Sequence, residues 1–343
     1  MRKLVTIQRI SDVQPIEGAD AIEKAKIKEW WVVIKKGEFV IGDYCIYFEI
    51  DSFLPIKPEY EFLLRGSSPK KMLVDGQERE GIKLNTIRLR GQISQGLTLP
   101  LTEQFLQFPE GQDITEELGV IKYEPPIPAN LAGVVKGNFP SFIPKTDEER
   151  IQNCTDLLEH QKGSIVYITS KLDGTSATYF KHEGEFGACS RNLELKESTG
   201  NTIWEMADKY NLRNCIPEGF AIQGELMGEG IQKNTLKIKG HKLFVFNVFN
   251  IKEFKFLDFD EMTSFCKENN LETVPIIKSG VILNFNFEQL MDMANQKSPL
   301  NPDILQEGIV IRSITERKVL INGIESRFSF KVISNDYLLK VNQ

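Results

Sequence analysis

An apolar run, Ile165-Val166-Tyr167-Ile168, leads within two residues into Lys171-Leu172-Asp173-Gly174. Alone, this tetrapeptide is a weak signal. Its weight comes from four segments that follow in order: Gln223-Gly224-Glu225-Leu226, Phe244-Val245-Phe246-Asn247, Glu307-Gly308-Ile309-Val310-Ile311-Arg312 and Phe330-Lys331-Val332. Read as strands, these segments can bring two lysines, three carboxylates and an aromatic strand to one site.

The 343 residues have room for two domains with separate cores, and 41% hydrophobic with 26% charged residues is ordinary globular composition. No apolar run reaches the roughly 18 residues a membrane helix needs. The opening residues Met1–Arg9 place a charge too soon after the apolar positions to act as a signal peptide. Cys45, Cys154, Cys189, Cys215 and Cys266 are odd in number and lack a CxxC pair. They read as reduced thiols, which implies an intracellular, cytoplasmic setting with the nucleus left open and no membrane partner. Three histidines, none within helical reach of another, argue against a histidine metal site.

A net charge of −6 does not announce a polyanion partner. Its distribution is more informative. Between residues 65 and 90, Arg65, Lys70, Lys71, Arg79, Lys83, Arg88 and Arg90 face Asp75, Glu78 and Glu80. That local excess of positive charge suits a phosphate backbone, and charge alone fits a solvated mixed loop equally well.

Residues 1–123 read as mostly β. Trp31–Ile34 and Tyr44–Ile50 are rich in β-branched and aromatic residues and are joined through Gly37 and Gly42-Asp43. Ile87-Arg88-Leu89-Arg90 alternates apolar and basic, as a half-buried strand with one charged face does. A small β-barrel follows, with the OB-fold the natural candidate; a sandwich or SH3-like barrel stays open on pattern. Residues 124–145 carry Pro125, Pro126, Pro128, Pro140 and Pro144 and read as a linker. Residues 146–343 alternate strands and amphipathic helices, giving an α+β chain overall. A helix is expected from Asp147, with Ile151, Cys154 and Leu158 inward. Others are expected over Thr202–Tyr210 and Asp258–Lys267, the latter capped by Asp258 and Glu261.

Lys171 is the candidate nucleophile. A protonated lysine cannot attack phosphorus, so its pKa must fall through burial or nearby cations, with Lys331 and a divalent metal able to supply the latter. Asp173, Glu225 and Glu307 form a plausible three-carboxylate set for a hard cation such as Mg²⁺. Phe244 and Phe246 share one side of a strand Leu243–Val248. Phe246 is favoured to stack on a nucleobase, with Ile309 or Val310 opposite.

The motif succession resembles that of the covalent nucleotidyltransferases: ATP-dependent RNA and DNA ligases and mRNA capping enzymes. Twelve residues follow Lys331, too few for an appended C-terminal domain, so the extra domain comes first. That order resembles the RNA ligases of the Naegleria and Deinococcus type. The first 120 residues resemble them in Lys35-Lys36-Gly37-Glu38-Phe39, Phe48-Glu49-Ile50-Asp51 and Leu89-Arg90-Gly91-Gln92-Ile93-Ser94-Gln95-Gly96.

The resemblance implies an OB-fold domain followed by an ATP-grasp-like nucleotidyltransferase domain. It implies ATP with Mg²⁺ or Mn²⁺, and joining of 5′-phosphate to 3′-OH RNA ends at duplex nicks through a lysyl-AMP, by a monomer. The nucleotide would be held by Arg150, Asp173, Gly174, Arg191, Glu225, Phe246, Val310 and Lys331. The metal would be held by Asp173, Glu225 and Glu307, and the duplex by Arg65, Lys83, Arg88 and Arg90. Asp173 is implied at the ribose as well as at the metal. Family members often carry a second lysine two positions after the last; Ile333 stands there, leaving Lys340 or Arg312 for the triphosphate. A DNA ligase, a non-catalytic RNA-binding protein on a ligase scaffold, and an AMP-transferring protein modifier remain open.

Overall fold

The computed structural model describes residues 3–65, 68–74, 77–123 and 133–341. The chain divides into two compact units, Met1–Pro128 with Leu339–Gln343, and Ala129–Leu338.

The first unit is built from short antiparallel ladders. Its central strand, Tyr44–Phe48, pairs with Val5–Arg9 on one side and Leu97–Pro100 on the other. Alternation sends Ile46 and Phe48 into one apolar cluster with Val5, Ile7 and Leu54, and Cys45 and Tyr47 into another with Trp30, Val32 and Ile34. A strand buried on both faces reads as continuously apolar, as this one does. The strands Asp12–Pro15, Ile22–Ile27 and Trp30–Lys35 form a three-stranded meander, and Lys70–Val74, Gln77–Lys83, Ser52–Pro55 and Ile121–Lys122 form a four-stranded sheet. Among the described residues the ladders remain separate and do not close into one continuous barrel. Gly96 (φ +112°) lets the chain pass against Phe48, where a Cβ would stand 2.6 Å from the carbonyl oxygen.

The hairpin Thr86–Leu89/Gln92–Gln95 departs from expectation. Both Ile87 and Leu89 are exposed along with Arg88 and Arg90, so the outer strand is not half-buried. Among the described residues it pairs only with Gln92–Gln95. Basic charge elsewhere in the segment is partly neutralised: Lys71 pairs with Glu78 at 2.7 Å, and Lys83 lies 4.0 Å from Asp51 and over the Tyr123 ring. Asp75 lies outside the described residues.

The second unit carries two main sheets, mostly antiparallel, with separate cores. The larger runs Val135–Asn138, Leu193–Leu195, Glu185–Cys189, Thr175–His182, Phe220–Gly228, His241–Asn250 and Lys255–Phe256, with Glu272–Thr273 parallel to His241–Asn250. Helices Thr202–Lys209 and Phe259–Glu268 cover it with Ile203, Trp204, Met206, Met262 and Cys266. The Asp258–Glu261 capping box is present as the sequence predicts. The smaller sheet runs Glu149–Arg150, Ser329–Ile333, Gly308–Ser313, Ile165–Lys171 and Ile276–Ile282. Helix Phe287–Ala294 packs on it through Leu290, Met291 and Ala294.

Of the expected linker, residues 124–132 lie outside the described residues, and residues 133–145 carry structure of their own. Val135–Asn138 is an edge strand of the larger sheet, and Phe139, Phe142 and Ile143 pack onto Phe180 and Phe249. The helix expected from Asp147 begins instead at Asp156. Glu149–Arg150 is drawn into parallel pairing with Phe330 and Lys331, and Ile151–Asn153 is a 3₁₀ turn. Ile151, Cys154 and Leu158 are nonetheless buried together.

A buried ion pair fastens this segment. Arg312 Nη2 donates to Glu148 Oε1 at 2.8 Å, both side chains being nearly enclosed. Burial opposes both charges, yet each ionises the other, holding the Glu148 carboxyl below and the Arg312 guanidinium above their ordinary values. Glu148→Ala should lower the unfolding free energy by about 3 kcal/mol, because it strands a buried guanidinium. Urea denaturation that found the variant as stable as the wild type would refute this role.

Candidate active site

Register builds the site. In the smaller sheet Arg150 pairs with Lys331, Lys331 with Val310, and Val310 with Thr169. Directly paired residues project to the same face of a sheet, so these four form a transverse row. Lys171, two residues on from Thr169, shares that face. The opposite face carries Ile168, Ile309, Ile311, Phe330 and Val332 into the core. The alternation that buries the motif strands therefore also presents their functional side chains.

Lys171 ends its strand opposite Gly308. Its Nζ donates to both oxygens of Glu307, at 2.8 and 2.7 Å. Burial pushes the lysine pKa down, but Glu307, Glu225 and Asp173 outweigh it and hold the ammonium above its ordinary 10.5. This reverses the expected depression, because in this arrangement three carboxylates surround the amine. The larger sheet supplies Glu225, whose Oε1 accepts from the Gly174 amide at 2.9 Å. A Cβ on Gly174 would stand 2.3 Å from the Leu226 carbonyl oxygen, so this close approach requires glycine. Burial, more than any neighbour, raises the Glu225 carboxyl from 4.5 to about 7.

Asp173 accepts a 2.6 Å hydrogen bond from the Tyr337 hydroxyl, and burial with this bond pushes the phenol pKa up. Tyr337 lies beyond the last motif, and no sequence spacing singled it out. Among the described residues no three acidic or thiol side chains converge tightly enough to form a ready-made metal site. Asp173, Glu225 and Glu307 are each engaged by Tyr337, Gly174 and Lys171 respectively. All three nevertheless act on one cationic atom, Lys171 Nζ, and as hard oxygen donors they fit a divalent cation.

Phe246 sits where the strand pairing slips. Gln223 pairs with Asn247 and Gly224 with Val245, which makes Phe246 the extra residue of a β-bulge. Bulges re-aim side chains beside functional sites. Phe244 is buried in the cluster with Leu172 and Met227, whereas Phe246 lies at its margin, partly exposed and 5.8 Å from the Arg312 guanidinium. Val310 is buried on the site face. Arg191 is exposed and bound to Asp147 at 2.6 Å. Arg312, committed to Glu148, is not a free triphosphate ligand, and the Lys340 side chain lies outside the described residues.

A lysine among carboxylates at a sheet end, with an aromatic bulge on the neighbouring sheet, defines a ligase-type nucleotidyltransferase unit behind a β-rich first unit. An OB-fold domain model matches residues 4–101, and an RNA ligase family model matches residues 164–333. Structures of Naegleria gruberi RNA ligase match across the chain. One, a lysine-to-alanine mutant with ATP and Mn, is 38% identical at TM-score 0.84, covering 98% of each chain. Another, with pyrophosphate, is 39% identical at TM-score 0.84, again covering 98% of each. No curated protein sequence matches. The chain belongs to the RNA ligase family, in the type whose ligase domain follows an OB-fold domain.

The Glu225 shift has a measurable consequence. A carboxyl raised on folding contributes stability that is present below pH 4.5 and lost as pH rises through about 7. Glu225→Gln should remove about 1–2 kcal/mol of that decline in the ligand-free protein. Thermal unfolding across pH 4–8 checks this; parallel pH profiles for variant and wild type would contradict it.

Proposed function

We propose that this protein is an ATP-dependent RNA ligase that seals 5′-phosphate to 3′-OH ends at duplex nicks. The observation that carries the reading is Lys171 Nζ held at the end of its strand by Glu307 and within the field of Glu225 and Asp173. The similar Naegleria ligase structures with ATP or AMP and Mn support the choice of nucleotide and cation.

Once deprotonated, Lys171 Nζ attacks the α-phosphorus of ATP. The P–N bond forms as the α–β P–O bond breaks, and pyrophosphate leaves. A 5′-phosphate oxygen of the nucleic acid then attacks the same phosphorus, breaking the P–N bond and returning the lysine. Finally the 3′-hydroxyl oxygen attacks the 5′-phosphorus, forming the phosphodiester and releasing AMP. Asp173, Glu225 and Glu307 would hold Mg²⁺ or Mn²⁺, which when bound neutralises phosphate charge.

The chain's own residues do the rest. Lys331 and Arg150, paired on the site face, bind phosphate oxygens, with Arg191 at the ribose, phosphate or RNA 3′ end. Phe246 and Val310 enclose the adenine. Gly174 leaves room for the backbone to pass against the Glu225 strand. On the first unit, Arg65, Arg88 and Arg90 are exposed and grip the duplex backbone, with Lys83 nearer Asp51 and Tyr123.

Incubation with α-labelled ATP and Mn²⁺ should label the wild type covalently and leave Lys171→Ala unlabelled. Labelling that persists in the variant would overturn the nucleophile assignment. Arg88→Ala with Arg90→Ala should reduce nick sealing at least tenfold while sparing lysine labelling, and should flatten the salt dependence of RNA binding by about two in log–log slope. Equal loss of labelling and sealing would remove these arginines from the RNA surface.

A further inference from the structure

Asp173, Glu225 and Glu307 each accept a hydrogen bond. For Glu225 and Glu307 the donor belongs to the motif strands and turns, namely the Gly174 amide and Lys171. For Asp173 it is Tyr337, six residues past Lys331 on the short helix Asn335–Val341. A tyrosine there belongs to none of the motifs.

The placement of Tyr337 is built rather than incidental. Its side chain is 5% exposed. The Ser334 amide donates to the Glu307 carbonyl at 2.8 Å, and the Tyr337 amide donates to Ser334 Oγ at 3.1 Å. The start of the helix is thus tied to the backbone that carries Glu307. Tyr337 Oη also lies 3.2 Å from Thr235 Oγ1. A phenol has one proton, and it goes to Asp173, so the Thr235 hydroxyl is the donor in that second bond. Thr235 belongs to the loop 229–240, which also sends Gln232 Nε2 to the Gly174 carbonyl at 3.3 Å. Loop, helix and motif turn therefore meet at the Asp173 carboxylate.

A hydrogen bond of this kind could act as a latch that withholds Asp173 or as a strut that presents it. The geometry favours the strut. With the Tyr337 bond in place, Lys171 still donates to Glu307 and the Gly174 amide to Glu225. Asp173 is thus held within a turn whose neighbours on both sides are engaged in the site. A charge-assisted O–H···O⁻ bond also narrows the carboxylate to one rotation, leaving its second oxygen for a ligand.

We propose that Tyr337 is a positioning residue of the adenylate site, fixing Asp173 through the chain Thr235–Tyr337–Asp173 in the orientation that receives the nucleotide. This deepens the ligase reading above and rests on it. Tyr337 touches no reacting atom; it acts through Asp173.

The test is a double-mutant cycle read as equilibrium AMP affinity by calorimetry with Mg²⁺, a reading independent of turnover. Tyr337→Phe keeps the ring and removes the hydroxyl, so packing is preserved. It should weaken AMP binding about tenfold when Asp173 is present, and not at all in an Asp173→Ala background. Thr235→Val, one bond further out, should weaken binding about threefold, again only with Asp173 present. An unchanged affinity in Tyr337→Phe, or the same fold loss in both backgrounds, overturns the proposal and leaves the ligase reading intact. A wild type that binds no AMP overturns both.

Discussion

Everything in the ligase unit turns on one ion pair, Lys171 with Glu307. It joins Lys171, the last residue of the strand Ile165–Lys171, to Glu307, the residue just before the neighbouring strand Gly308–Ser313, at 2.7 Å. Its consequence is electrostatic: the Lys171 amine, the proposed nucleophile, is held as an ammonium. Burial alone would tip it toward the neutral form, and the surrounding carboxylates reverse that balance. Burial, with smaller contributions from Glu307 and Asp173, raises the Glu225 carboxyl to about 7. The site is thus strained in charge, with too much acid and a lysine compensating for it. On the proposed ligase reading, a cation bound with the nucleotide would compete for Glu307 and lower the Lys171 pKa.

The scaffold that holds this pair is simple in principle. Two mostly antiparallel sheets each bury one face against their own helices, and strand alternation turns the other set of side chains toward the site. Two close approaches refine it. Gly174 allows the turn after Lys171 to pass against Leu226, and the slip at Phe246 turns a ring out of the regular pleat. The buried Arg312–Glu148 pair fastens the segment before Arg150, so that Arg150 aligns with Lys331.

Much of this was legible in the sequence, because strand motifs carry both fold and chemistry. The motif succession and its resemblance to the nucleotidyltransferases single out Lys171, Asp173, Glu225 and Glu307, and the fold brings the three carboxylates around Lys171 Nζ. The capping box at Asp258 follows from local spacing and is present. What escaped was decided by partners distant in sequence. The helix expected from Asp147 gave way to a strand because Arg150 pairs with Lys331, far along the chain. Ile87 and Leu89 alternate like half-buried residues, but both are exposed among the described residues. Arg312 looked available for phosphate until Glu148 was found beside it. Tyr337 carried no signal, since one tyrosine in a short terminal helix has no informative spacing. The sign of the Lys171 shift required the actual distances.

The most direct measurement is the titration of the Lys171 side chain by NMR, using ¹³C-labelled lysine in the ligand-free protein and in Glu307→Gln. The account predicts a wild-type titration above 10.5 and a downward shift in the variant, where burial is no longer offset by Glu307. A Lys171 that titrates below 10.5 in the wild type, or identically in both proteins, would contradict it.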